Sequence, residues 1–464
     1  MAKISQPILT FPPPPWARLA LAATTVFSFP AAAQNLTEPT KVISVGKVAT
    51  QRTNEFGEFI THTFCKYGER HTKDKVYPAM DVDSSGEVPD SAWYHNRHGR
   101  RRMNIAELVR GPGNTNAPSM EGPWTVVSAK LEGITPGLRI KDARGRSYLI
   151  KFDPYDFPEL ASAAGVVGSK FFYALGYHVP ENYIVKLERE RLVIDKKGAP
   201  GKGGKERPLR DKDIDRMLAR VRKDSDGRYR ALASLLLEGE PVGPYHYHGV
   251  RSDDPNDTIP HEHRRSLRGL YVMSAWLNHT DSKAGNSLDV IVTENGVRYI
   301  KHYLIDFGAT LGSASFESKS ARQGHEHLID LKPSLVQTFS LGLYVPKWAR
   351  VDYSKLPSVG KFEAEAFVPD RWKGNYPNPA FDNRLPEDSF WGAKQVVAFR
   401  DDEIQAIVET GQYSDPRAVD WIVRTLIARR DKIAKAFSEP GLRRNAGVGG
   451  RAGQSAGTSG TGPE

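Results

Sequence analysis

The sequence predicts an α+β enzyme in two lobes, a β-rich part with one long helix followed by a mainly helical part. Three observations predict it. Residues 126–130, 138–141 and 147–152 form short apolar runs with strand character, separated by glycine-bounded loops and turns. Directly after them Leu160, Val167, Phe171 and Leu175 recur at helical spacing, and Gly176 stops the run. Near the C-terminus Asp415 and Pro416 open a second long helix, with Val419, Ile422, Val423, Leu426, Ile433 and Phe437 on one face. Such a plan leaves a ligand cleft between the lobes.

Composition supports a large folded protein. With 39% hydrophobic and 10% aromatic residues, the chain can fill a sizeable core, which excludes whole-chain disorder. Its 464 residues allow roughly three domains or lobes at about 150 residues each. A mean hydropathy of −0.50 and the lack of any apolar run of about 18 residues exclude a polytopic membrane protein. The single cysteine, Cys65, excludes an intrachain disulfide framework and reads as a small buried apolar residue.

The first 33 residues read as an export signal. Lys3 and Arg18 precede the apolar stretch 19–29, and Ala31, Ala32 and Ala33 supply the small residues a signal peptidase needs. Cleavage after Ala33 is expected, giving a periplasmic or secreted chain that starts at Gln34 with no transmembrane anchor. The leader carries two cations and no acid, so the net charge of +10 falls by two and stays positive. Mild basicity favours anionic partners such as nucleotides or anionic lipid head groups. The cations cluster at Arg97, Arg100, Arg101 and Arg102 and in a glycine-rich insertion at 196–210. That insertion lacks interleaved aromatics, so no nucleic-acid partner is expected.

Residues 34–123 are expected as an N-terminal extension packing on the first lobe. Within it Asp81, Asp83 and Gly86 begin a calcium-loop pattern, but Ala92 stands at its closing position, so the segment reads as a turn. The first lobe is placed at 124–238, with Gly133 and Gly137 bounding a loop between its first two strands, further strands at 182–187 and 191–194, and a short helix near 213–223. The second lobe is placed at 239–440. It opens with an Asp-, Pro- and His-rich loop and a helix at 264–277, and continues with strands at 288–293 and 297–305 turning at Asn295-Gly296. Residues 312–400 are rich in aromatics and proline and give no regular pattern. The Gly/Ser/Thr tail at 441–464 is expected to be disordered.

The chemistry concentrates in His279-Thr280-Asp281-Ser282-Lys283-Ala284-Gly285-Asn286, followed by Asp306-Phe307-Gly308. This offers a carboxylate, an ammonium and an amide on one loop, with a second carboxylate after a hairpin. Phosphoryl transfer needs that set. Asp281 suits the proton of an attacking hydroxyl, Lys283 suits charge on the moving phosphoryl, and Asn286 with Asp306 suits Mg²⁺ between phosphates.

Here the sequence resembles the protein kinases. The loop matches H-x-D-x-K-x-x-N at every fixed position, and Asp306-Phe307-Gly308 matches the metal-binding D-F-G. The resemblance implies a two-lobed protein-kinase-like fold, ATP and Mg²⁺ as cofactors, Asp281 and Lys283 as catalytic residues, and Asn286 and Asp306 as metal ligands. Lys151 looks like the strand lysine that meets the α- and β-phosphates, Glu159 like its ion-pair partner, and Gly133 and Gly137 like the loop over the nucleotide. Three features depart from ordinary protein kinases: there is no G-x-G-x-x-G, only eight residues separate Lys151 from Glu159, and no A-P-E follows. The lysine strand running into a helix is closer to the HipA-like and phosphoinositide-kinase-like group, of which this chain resembles an exported bacterial member over roughly residues 125–310.

Other readings are weaker. His246, His248, His261 and His263 lie in loops without H-E-x-x-H and read as polar surface rather than a zinc site. Asp253, Asp254, Asn256 and Asp257 read as an Asx-turn cluster. No G-x-S-x-G is found, and Trp372, Trp391 and Trp421 read as core. The function expected is transfer of the ATP γ-phosphoryl to a hydroxyl acceptor. Transfer of the AMP moiety on the same scaffold, or an exported binding or scaffold protein without turnover, are the alternatives. The acceptor, whether protein, lipid or small molecule, has no sequence signature.

Overall fold

The computed structural model describes residues 41–65, 76–113, 117–130, 137–195, 209–340 and 343–438. The expected export leader and cleavage site, Gly133, nearly all of the basic insertion and the C-terminal tail lie outside the described residues, as does the side chain of Cys65.

In chain order the helices and strands are α1 (Glu55–Ile60), α2 (Ile105–Arg110), β1 (Trp124–Lys130), β2 (Gly137–Lys141), β3 (Ser147–Phe152), α3 (Leu160–Ala174), β4 (Asn182–Leu187) and β5 (Leu192–Ile194). Then follow α4 (Asp211–Leu218), β6 (Tyr229–Leu235), β7 (Glu240–Pro241), α5 (Arg265–Leu277), β8 (Ser287–Glu294) and β9 (Val297–Leu304). The chain continues through α6 (Leu331–Phe339), α7 (Pro379–Asp382), α8 (Pro386–Val397), α9 (Asp401–Glu409) and α10 (Pro416–Ala436). The fold is α+β. A six-stranded sheet in the order β4-β6-β3-β2-β1-β5 makes up the first half, antiparallel except where β5 runs parallel to β1. A three-stranded sheet, β7-β8-β9, sits among the helices of the second.

Alternation decides which face of β3 does what. Tyr148, Ile150 and Phe152 are buried against α4 residues Ile214, Met217 and Leu218, while Lys151 points to the opposite face. That face also carries Leu232 of β6, the cross-strand partner of Lys151, which meets α3 at Gly165. A Cβ at Gly165 would come within 2.9 Å of the Leu232 side chain, so the glycine lets helix and sheet approach. The larger core joins α3, α5, α8, α9 and α10, with Trp276 and Trp391 fully enclosed. Trp372 is buried too, and Trp421 is half-buried with its indole N–H donating to Phe362 O at 2.8 Å.

Three expectations need correction. The helix expected near 213–223 ends at Leu218, because Lys223 already pairs with Tyr229 in an extended bridge and Asp224 makes the turn into β6. Residues 312–400 carry regular structure after all, in α6, α7 and α8; short helices opening on Pro379 and Pro386 gave no long period to detect. The extension packs on the first half only in part. Arg97 donates to Tyr173 O and Tyr177 O at the end of α3, at 2.9 and 3.0 Å. Elsewhere it reaches the second half: Val45 N donates to Arg298 O at 2.7 Å, Arg102 pairs with the buried Glu403, and Asp81 accepts from Ser266 N and Oγ. Asp81 thus caps α5, which accounts for a carboxylate in the half-formed calcium pattern. Asp83 makes an Asx turn, accepting from Ser85 N and Glu87 N.

Candidate active site

The loop 279–286 begins where α5 stops. Asn278 takes a left-handed backbone, φ 50°, which asparagine tolerates better than most residues, and its side chain accepts from the Trp372 indole at 2.9 Å. His279 N then donates back to Ser274 O at 2.8 Å. Ser282 Oγ donates to His279 O at 3.1 Å and Asn286 N to Lys283 O at 3.0 Å, which fold the loop into a tight polar coil.

The nineteen residues between Asn286 and Asp306 are closed by the β8–β9 hairpin. Its register pairs Ser287 with Leu304, and Ile305 N donates to Asn286 O at 3.0 Å, so Asn286 and Asp306 arrive at the same hairpin end. Asn295 and Gly296 make the turn with φ 52° and 79°, as a two-residue hairpin turn of the right twist requires. Asp306 itself is left-handed at φ 59°, a strained backbone held by its surroundings.

Across from it stands β3. Lys151 Nζ meets Asp306 Oδ2 at 2.8 Å, with 29% and 37% of the two side chains exposed. Gly137 is the partner of Lys151 across β2–β3, and a Cβ there would come within 3.0 Å of Ile150 O. Burial opposes ionisation of Asp306, but Lys151 and a hydrogen bond from the Gly308 amide outweigh it and hold the carboxyl below its usual range.

On the adjoining loop, both hydrogens of the Asn286 amide are committed, to Asp281 O and Asp281 Oδ2, each at 2.8 Å. Its oxygen is thereby left as an acceptor. Lys283 Nζ lies 3.5 Å from Asp281 Oδ1 and 3.0 Å from Glu55 Oε2 of α1. Burial works against the ammonium, but these two carboxylates raise its pKa. Lys283 also borders a narrow recess of about 20 Å³ with Glu55, Glu58, Phe59, Tyr247 and Tyr376. Glu58 pairs with His246 at 2.8 Å and the Phe59 ring meets Tyr376 edge-on at 5.2 Å, so α1 lies over this side of the loop.

Aromatic packing ties loop and turn to α3. Phe172 stacks on Phe307 at 5.1 Å, and His279 stands 5.4 Å from Phe172 and 6.0 Å from Phe307. Burial lowers the His279 pKa to about 4, so the ring is neutral near pH 7. Gly168 makes the column possible, since a Cβ there would come within 3.0 Å of Phe307 Cβ. A second tie is Lys319. It is 1% exposed and donates to Thr280 Oγ1 at 2.8 Å and Ala309 O at 2.9 Å, joining the loop to the segment after Asp306. Burial drives its pKa down to about 7, although Asp281 pulls the other way.

The expected pairing of Lys151 with Glu159 does not form. Glu159 is the residue before α3, left-handed at φ 68°, and its carboxylate accepts from Ser414 N at 2.9 Å. Eight residues of separation carry it to the start of the helix, away from the Asp306 end of β3. The structure brings Lys151 to Asp306, and Asp281, Lys283 and Asn286 to one loop beside them. Sequence reasoning missed Lys319 and Glu55, which lie far from the motifs they touch and belong to no pattern. It also left Phe172 out, although Phe171 and Phe172 stand in the predicted helix.

The donor set fits a hard divalent cation. Asp306 offers carboxylate oxygens and Asn286 an amide oxygen from one hairpin end, and such ions take oxygen ligands while keeping waters or phosphates. The same ends suit nucleotide phosphates beside Lys151.

No family model matches the chain, and no curated protein sequence is similar to it. Among solved structures it is similar to a Golgi casein kinase crystallised with Mn and ADP, at 10% identity and a TM-score of 0.31, over 72% of this chain and 73% of that one. Likeness at that level places the chain in no family, and its chemistry rests on its own residues.

Proposed function

We propose that the chain is an ATP- and Mg²⁺-dependent phosphotransferase that moves the γ-phosphoryl to a hydroxyl acceptor. The observation that carries this reading is the 2.8 Å approach of Lys151 to Asp306 beside the Asp281–Asn286 pair. Lys151 binds phosphate oxygens, exchanging part of its contact with Asp306 for them. Asp281, fixed by the Asn286 amide, orients the acceptor hydroxyl and takes its proton. Lys283 neutralises charge on the group in transit. Asn286 and Asp306 would hold the cation, which would supply charge neutralisation for the phosphates. The strand lysine followed by a helix favours kinship with HipA-like and phosphoinositide-kinase-like enzymes, and the leader favours export with cleavage after Ala33.

Thermal stabilisation of the purified protein by ATP tests binding: it should require Mg²⁺, and ATP at about a hundred times Kd raises stability by about 2.7 kcal/mol. Label transferred from γ-labelled ATP supports the reading. Label carried only from the α-position would replace it with AMP transfer, and binding without any turnover would leave a scaffold. Intact mass from an export-competent host should show Gln34 first; a chain beginning at Met1 would remove the export proposal.

A further inference from the structure

α6 is turned inside out. Leu331, Leu335, Val336 and Phe339 lie on one stripe of the helix and are all exposed, Phe339 to 79%. On the opposite side the polar Gln337 faces the protein and donates to Glu326 at 3.2 Å. Past residues 341–342 the apolar surface resumes with Leu343, 88% exposed, and with Tyr344 and Val345. Before the helix Leu328 and Ile329 extend it. A contiguous exposed patch of this kind marks a contact surface.

Charge indicates what covers it. From 331 to 350 the sequence contains no Asp or Glu, but three cations, Lys332, Lys347 and Arg350. Lys347 and Arg350 are exposed, and no carboxylate pairs with either among the described residues. Of the neighbouring acids, Asp330 pairs with Lys373 and Glu326 with Arg322 at 2.7 Å, while Asp352 and Glu365 are exposed at the far edge of the stretch. Apolar side chains on a stretch whose own charges, Lys332, Lys347 and Arg350, are all positive fit the boundary between acyl chains and anionic head groups.

We infer that α6 and residues 343–350 dock the protein on an anionic lipid surface, lying in the interface rather than crossing it. No helix among the described residues is long and apolar enough to cross a membrane. The surface is linked to the candidate site, since Leu328 N donates to Asn375 O at 2.9 Å and Asn375 N to Thr280 O at 2.6 Å. Docking would therefore hold the loop 279–286 near the head groups. The inference stands independently of phosphotransfer, because it concerns binding alone.

Co-sedimentation of the full chain with vesicles tests it. Binding to mixed phosphatidylcholine–phosphatidylglycerol vesicles should exceed binding to phosphatidylcholine alone and fall with salt. The double variant F339D/L343D should lower partitioning at least about a hundredfold with an unchanged melting temperature. K347E/R350E should weaken binding to the anionic vesicles about thirtyfold and leave binding to neutral ones unchanged; it decides the matter if the first variant fails to fold. A wild-type chain that stays in the supernatant, or variants that bind as wild type does, would overturn the inference. So would a stable dimer that F339D/L343D converts to monomer.

Discussion

On one side of the candidate site, Lys151 and Asp306 meet at 2.8 Å, brought together by two sheets that are each fixed by a ladder of backbone hydrogen bonds. On the other, Lys283 divides its charge between Asp281 of its own loop and Glu55 of a six-residue helix that arrives from the extension. The first side is built into the scaffold. The second is finished by a short element that Phe59 anchors against Tyr376. On the proposed function, Lys151 is held in place by its strand before nucleotide arrives, whereas an acceptor would compete with Glu55 for Lys283.

The largest test of this contrast is Asp281→Ala. Turnover should fall about a thousandfold with ATP affinity nearly kept, since a positioned base acts in the transition state. Equal loss of nucleotide binding would point to a collapsed loop. Asp306→Ala should act at the other side, weakening Mg²⁺-ATP binding about a hundredfold as the carboxylate partner of Lys151 and the cation disappears; calorimetric titration with and without Mg²⁺ reads this. Gly168→Val should cost about 1–3 kcal/mol in denaturant unfolding by pressing on Phe307, and should impair nucleotide binding more than its stability loss predicts.

A smaller effect is expected from Glu55→Ala, which frees Lys283. The acceptor KM should change by a few-fold while the KM for ATP holds; an equal change in both would show that α1 serves the whole cleft. The last effect is a pH signature. In the unfolded chain Lys319 keeps its proton to about pH 10.4, but in the fold it loses it near 7. Between these values the unfolded state binds more protons, so stability rises with pH, by at most about 1.4 kcal/mol per unit from this group. Lys319→Met should flatten that rise in melting curves taken from pH 7 to 9. An unchanged slope would assign the rise to other groups.

Local chemistry made some of this legible in the residues alone. The strands at 147–152, 182–187 and 297–304, the helix 160–174 and the Asn-Gly turn follow from side-chain period and turn geometry, which act within a few residues. The proximity of Asn286 to Asp306 was legible too, because a hairpin of that length returns its ends together. Three things were decided only in the tertiary structure. Lys151 pairs with Asp306 and not Glu159 because sheet and hairpin converge there while Glu159 is carried to Ser414. Lys319 becomes a buried tie because two segments close around it, and no local rule marks one lysine among many. The outward stripe of α6 has the same apolar composition as a core helix. Period reveals that such a stripe exists, but which way it faces depends on the surface available to cover it, and that is settled only when the whole chain has packed.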